Sequence, residues 1–418
     1  DQDYTLDATK QWRIDGVVKV GEGNVELADA AAVAAVKAAG ATLTIPAGLT
    51  IKAFDDASLL VTRGSRLEAV GTAEDPITFS SLDDNISGLG EWGGIVIQGF
   101  APQFGKEGTG ACFGVGTVCN VDGEGGDFIG KFGGNEPADD SGTVKYVRIA
   151  EGGLIAGPNN EVNGLTLQGV GYGTTIDFVQ VHNNLDDGIE WFGGTVNATH
   201  IVLTGNDDDD IDFDEGYKGN IQFAIVKKNP TKAAPTGSND PRGIEANSSD
   251  NEFAPETDAV LANVTVVGGP AANNEAGAGQ QPGMRLRGAL TVSIFNSAVS
   301  GFDTGCIRID DADTDLDGDI DENSTVALTN VLGDCEDGFY DKRAADSETN
   351  AVASALTFDD AFAITQPAAS LAGAPAITAV NPASGFIFEQ TDYVGAVEPG
   401  TSAEDAWWAG WTITNSVK

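Results

Sequence analysis

Carboxylates recur at a fixed spacing in the middle of this chain. Residues 179–194 read VQVHNNLDDGIEWFGG, and residues 201–216 read IVLTGNDDDDIDFDEG. A shift of 22 residues lays Asn184 on Asn206, Asp186 on Asp208, Asp187 on Asp209 and Glu190 on Asp212. Ile189 and Trp191 fall on Ile211 and Phe213. If those apolar residues point inward, strand alternation turns Glu190 and Asp212 outward. Stacked strands lie about 4.8 Å apart. At that spacing a like-charge pair costs about 3–4 kcal/mol at an effective dielectric of 20, and about 1 kcal/mol in bulk water. A solvated face bears that cost. A half-buried one needs a cation, a shared proton or a basic neighbour, and His182, Lys218 and Lys227 are the nearest in sequence. Hard oxygen donors grouped in this way suit a divalent cation. Metal ligation is therefore expected at Asp186, Asp187, Glu190, Asp208, Asp209 and Asp212, with a plain solvated face or catalytic carboxylates as the alternatives. Asn184 and Asn206 read as a turn ladder bonded from repeat to repeat.

A second acidic motif is DADTDLDGDIDENS at 311–324. Asp313, Asp315 and Asp317 precede Gly318 in the D-x-D-x-D-G order of a calcium loop. Asp319 offers a backbone carbonyl, and Asp321 or Glu322 completes the shell, because Ser324 stands where a bidentate Glu is usual. The expected ion is Ca2+. Arg285 and Arg287 of GMRLRGA face the same way in a chain poor in bases. With Arg308 they are placed to hold an acidic glycan or act as a lyase base, or else to neutralise aspartates on the next repeat. Trp407, Trp408 and Trp411 of the tail read as a plug for the last coil or as a stacking platform for a sugar or partner. Four cysteines fall into two local pairs, Cys112 with Cys119 and Cys306 with Cys335, and suit disulfides in an oxidising compartment.

These residues need elements that stack. Segments such as ATLTIPAGLTIKA (41–53), GLTLQG (164–169), LTVSIFNSAVSG (290–301) and VALTNVLG (326–333) are short, rich in Val, Ile, Leu and Thr, and punctuated by Gly, Asn and Asp. A strand repeat of about 20–25 residues marks a solenoid. The fold expected is all-β: a right-handed parallel β-helix, the hand following from the chirality of parallel crossovers. ELADAAAVAAVKAAG (26–40) is the one helical stretch, with Asp29 as N-cap and Gly40 as its stop, and it is expected to cap the first coil. The domain division expected is an N-terminal segment and capping helix (1–40), the β-helix (41–390) and a Trp-rich tail (391–418). Long loops are expected near 100–143 and 228–258.

The chain carries 64 acidic and 22 basic residues, a net charge of −42. Nucleic-acid binding needs the opposite sign and is excluded. No apolar run reaches the ~20 residues of a membrane-spanning helix. With two histidines, His182 and His200, the sequence offers no Ser–His–Asp pattern, and it has no phosphate loop. It opens at Asp1 without a methionine and is read as a mature form freed of a signal peptide.

Several stretches together resemble a widespread family of secreted bacterial proteins, lipoproteins among them, built on a right-handed parallel β-helix. They are ATLTIPAGLTIKA, LLVTRGSRLEAVGTAEDPITFSS, EWGGIVIQGFAP, GGNEPADDSGTVKYVRIAEGG, NEVNGLTLQGVGYGTTIDFVQVHNNLDDGIEWFGGTVNATH, SIFNSAVSGF and WAGWT. The resemblance runs from about residue 41 to the end. It implies the fold and an envelope or extracellular location, but no activity. Many relatives begin with a lipidated cysteine; this chain does not, which favours a free secreted form. The calcium loop lies outside the resemblance. The function expected is a calcium-stabilised structural or interaction protein of the cell surface or matrix, with itself or a surface glycan as partner. The alternative is a polysaccharide lyase, glycoside hydrolase or glycan-binding adhesin.

Overall fold

The computed structural model describes residues 2–418 except 84, 105–117, 158–159, 230–240, 249–252, 270–280, 311–323, 350 and 367–373. Each coil contributes strands to two long sheets. Parallel pairs join each strand to its counterpart one coil away, so the chain is a parallel β-helix. One sheet has 17 strands and the other nine. The nine-stranded sheet runs from Val17–Val20 through Ser58–Val61, Ile95–Gln98, Leu165–Gln168, Ile189–Phe192, Ile211–Asp214, Ile244–Asn247 and Met284–Arg287 to Ile307–Ile309.

Alternation decides what each strand buries. Inward positions form columns such as Leu165–Ile189–Ile211–Ile244 and Leu167–Trp191–Phe213–Ala246, all fully buried. The interior is thus one continuous apolar stack, which no single coil could bury alone. Gly243 opens its strand where the two sheets approach closely. A Cβ there would stand 2.2 Å from Val266 Cγ1.

The 17-stranded sheet is broken along one column. Tyr146, Phe178, His200, Phe223, Asn263, Asn296 and Asn330 all take positive φ, between 47° and 60°. Asparagine tolerates that backbone region readily; an aromatic residue there is held by its surroundings. The rings stack coil on coil, with Tyr146 on Phe178 at 4.3 Å and Phe178 on His200 at 4.2 Å. Trp411 meets Tyr146 and Phe178 edge-on, each at 5.9 Å, and Trp407 meets His200 at 5.2 Å. The tail therefore lies along the outside of this sheet instead of plugging the last coil. Ile413 N–H donates to Gln180 Oε1, and Lys227 Nζ donates to the Val417 carbonyl.

The helix Ala30–Ala39 is the one α-helix among the described residues. Asp29 caps it by accepting from Ala32 N–H at 2.9 Å, and Gly40 N–H closes it on the Lys37 carbonyl. Its buried Val33 packs with Leu27 and Phe100, so it covers a flank of the coil. The first coil is made by Tyr4–Thr5, Trp12–Ile14 and Val17–Val20, which pair with the strands of residues 42–61. Ile244–Asn247 is a strand inside the stretch expected to be a loop at 228–258. No helix among the described residues is long and apolar enough to cross a membrane.

Candidate metal centre

The outward column of the nine-stranded sheet changes character along its length. After Lys19 on the first coil it is apolar at Leu60 and Val96, covered by Ile129 and Val162. It then reads Thr166, Glu190, Asp212, Glu245, Arg285 and Arg308 in consecutive register. Glu190 sits beside Asp212 because the 22-residue repeat is kept there without an insertion. The preceding turns add Asp186, Asp187, Asp208 and Asp209. Two side-chain-to-backbone ladders fix those turns across the coils. Asn206 Oδ1 accepts from Asn184 N–H at 2.9 Å, and Asp187 Oδ1 accepts from Asp209 N–H at 2.9 Å.

The result is a buried acidic shelf. Asp186, Asp187, Glu190, Asp208 and Asp209 are between 2% and 8% exposed. Oxygens of Asp186, Asp187 and Asp208 lie within 4.8 Å of one another, as do those of Asp187, Glu190 and Asp212, and those of Asp209, Asp212 and Glu245. Asp187 belongs to the first two groups and joins them.

Basic residues reach the shelf at two places: Lys228, 1% exposed, pairs with Asp210 Oδ2 at 2.9 Å and donates to the Asp208 carbonyl, and arginines hold the far end. Arg242 is 1% exposed and contacts Asp209 Oδ2 at 3.2 Å and Glu245 Oε2 at 2.7 Å. Arg287 Nε donates to Glu245 Oε1 at 2.8 Å, and Arg285 Nε to Asp310 Oδ2 at 3.0 Å. Asp310 also takes Arg308 and Lys342. Arg285 and Arg287 thus neutralise carboxylates on neighbouring strands. Among the described residues, no lysine or arginine nitrogen comes within ion-pair distance of Asp186, Asp187, Glu190 or Asp212. The three bases near in sequence lie elsewhere. His182 Nδ1 is bonded to Thr204, Lys227 is held by the tail, and Lys218 lines a separate cleft with Thr195 and Glu256.

The titration of these groups follows from that division. Burial pushes Asp187 well above the usual carboxylate range, and Asp186, Asp212, Glu190 and Asp208 push it further. Burial and Asp208 do the same to Asp186, and burial and Asp212 to Glu190. Asp212 is raised by burial, Glu245, Asp214 and Asp209 against the opposing pull of Arg287, and Asp209 by burial against the opposing pull of Arg242. At Glu245 burial also acts upward, but Arg242, Arg287 and Arg285 outweigh it and hold the group below its ordinary value. Asp310 is drawn down to about 2: burial opposes the shift, and Lys342, Arg285 and Arg308 overcome it.

Buried oxygens at the shelf without a hydrogen-bond partner include Asn163 Oδ1, Thr166 Oγ1, Asn184 Oδ1 and Asp212 Oδ1. Asn163 is 1% exposed, and its amide nitrogen donates to Glu190 Oε2. Sequence reasoning missed Asn163, Arg242 and Glu245. The signal for Glu245 was present: Gly243-Ile244-Glu245 repeats Gly188-Ile189-Glu190.

Other expected sites fall as follows. Asp313, Asp315, Asp317, Asp319 and Asp321 lie outside the described residues. Cys306 and Cys335 form a disulfide with an S–S distance of 2.02 Å. Cys119 is disulfide-bonded, and Cys112 lies outside the described residues. Trp408 and Trp411 are 5% and 1% exposed, covered by the chain's own residues, so neither presents a ring face as a platform for a sugar. Trp407 is partly buried in the same cluster, and its indole N–H donates to the Ala396 carbonyl.

No curated protein and no solved structure matches the chain. A family profile described as pectate-lyase like beta helix domain matches residues 2–412, through the coils, the inserted loops and most of the tail. The chain belongs to that family of β-helix domains.

Proposed function

We propose that this is a secreted, calcium-stabilised β-helical protein with a structural or interaction role outside the cell, and that the acidic shelf holds Ca2+. One observation carries the reading: Asp187 lies within reach of Asp186 and Asp208 on one side and of Glu190 and Asp212 on the other, and among the described residues the basic group acting on them is Arg287 near Asp212, which is itself bonded to Glu245. An all-oxygen donor set suits a hard cation. Neutralising this cluster with a divalent ion removes repulsions of about 3–4 kcal/mol per pair at an effective dielectric of 20. The unpartnered oxygens of Asn163 and Asp212 add donors where an ion would sit. The net charge of −42 suits a protein that lives with divalent cations around it. Its partners in this reading are further copies of itself or a surface glycan.

The lyase or hydrolase reading has less support. A lyase needs a base free to take a proton, whereas Arg285 and Arg287 are committed to Asp310 and Glu245. The separating experiment is calcium titration by calorimetry on wild type and Asp187→Asn, run beside a glycan cleavage screen. A binding event lost in the variant, without release of unsaturated or reducing ends, upholds the proposal. Equal binding by both proteins, or cleavage abolished by Asp187→Asn, rejects it.

A further inference from the structure

A second site lies at the other end of the strands that carry the shelf. The turns entering Ile189–Phe192 and Ile211–Asp214 supply Asp186, Asp187, Asp208 and Asp209; the turns leaving them supply Gly194, Thr195, Gly216 and Lys218, which line a cleft. Gly194 and Gly216 hold the same place in successive coils, and both are buried. Pro102 and Pro255 add buried apolar walls. The cleft has a volume of about 530 Å³, within the range of about 300–1,000 Å³ that small-molecule sites occupy. The backbone N–H groups of Gly194, Thr195, Gly216 and Lys218 are all bonded within the fold, to the Pro102 and Val170 carbonyls, Thr257 Oγ1 and the Gly194 carbonyl. Recognition at this wall therefore falls to side chains.

Four side chains at the cleft keep unused polar groups. Among the described residues, Lys218 Nζ and the Glu256 carboxylate make no ion pair or hydrogen bond, and they stand beyond ion-pair distance of each other. The Asn135 side-chain amide is unbonded in the same sense. Asn381 donates to the Lys218 carbonyl and leaves its Oδ1 unused. Asp258 feels the Lys218 charge only from beyond ion-pair distance, and burial still holds its carboxyl above the usual range. We infer that the cleft binds a small zwitterion of the amino-acid class, its carboxylate on Lys218 and Asn135 and its ammonium on Glu256 and Asn381 Oδ1. This site goes beyond the function proposed above and does not depend on the shelf. Charge decides against simpler ligands. A chain of net −42 repels a plain anion, and a plain cation entering the cleft meets Lys218. A zwitterion adds no net charge and brings each of the two unpaired groups its counter-charge.

The test is saturation-transfer NMR on the full chain, in calcium-containing buffer, against each of the standard L-amino acids, followed by calorimetry on those that bind. The proteins are wild type, Lys218→Met and Glu256→Gln. Circular dichroism confirms that each variant is folded. At least one amino acid should bind wild type at a single site. Each substitution should weaken that binding at least tenfold, and so should removal of the ligand's amine or of its carboxylate. Glucuronate, a carboxylate without an amine, should not compete. No binding by any amino acid, binding untouched by either substitution, or equal binding of the amine-free acid overturns the inference. Calcium binding should be the same in all three proteins, so a failure at the cleft is distinguished from a failure at the shelf.

Discussion

At the scale of single residues, the shelf is defined by which carboxylates have a cation and which do not. Glu245 and Asp310 are each served by several basic groups and stay ionised. Asp186, Asp187, Glu190 and Asp212 are not, and burial favours their protonated forms. The stability consequence has a definite sign. A carboxyl group whose folded pKa lies above its unfolded value contributes stability that is complete below the ordinary carboxylate range and is lost as pH rises through the folded value. Without calcium, the melting temperature should therefore fall as pH is raised from mildly acidic to neutral, and calcium should flatten that fall. Asp187→Asn removes one buried charge from the centre of the cluster. It should raise stability at neutral pH in chelator and shrink the calcium-induced rise in melting temperature, as read by differential scanning calorimetry. Arg242 tests the opposite case. Arg242→Ala leaves Asp209 and Glu245 buried without their common partner and should cost about 3–5 kcal/mol in denaturant unfolding.

At the scale of elements, the site depends on strands meeting in register. Gly243→Ala places a Cβ 2.2 Å from Val266 Cγ1, at the start of the strand that carries Glu245. Overpacking of this kind should cost about 1–3 kcal/mol, measurable by urea unfolding. Trp411 seals the tail against the ring column. Trp411→Ala should leave the solenoid folded while speeding proteolytic loss of residues beyond 391. These elements differ in how far the sequence revealed them. The pairing of Glu190 with Asp212 was legible because two coils share one length, and alternation then fixes which side chains face out. The strand bearing Glu245 was hidden because the interval grows from 22 residues to 33 between the next coils, and the insertion masks the repeat. The Asp29 cap and the Gly40 stop were legible as local chemistry. Where the helix and tail dock was not, since Val33 and Trp411 are apolar whichever surface they cover. The positive-φ column was equally hidden, because Tyr146, Phe178 and Phe223 do not carry the asparagine or glycine that normally signals such a backbone.

At the scale of the whole molecule, one repetitive scaffold serves two purposes. Stacking coils builds an apolar interior that no coil could form alone, and the same stacking sets outward side chains in rows. Where a row is acidic, the fold itself gathers carboxylate oxygens within a few ångströms of one another. Calcium at a hundredfold excess over its Kd would stabilise the folded chain by about 2.7 kcal/mol, so a folded protein in chelator should melt measurably earlier. The most direct measurement is a crystal grown with calcium, or with a lanthanide in its place, and examined for anomalous difference density at the shelf. A peak bounded by oxygens of Asp187, Glu190 and Asp212 is the result this account predicts. Ordered shelf carboxyls bonded only to one another or to water, with no anomalous peak among them, would contradict it.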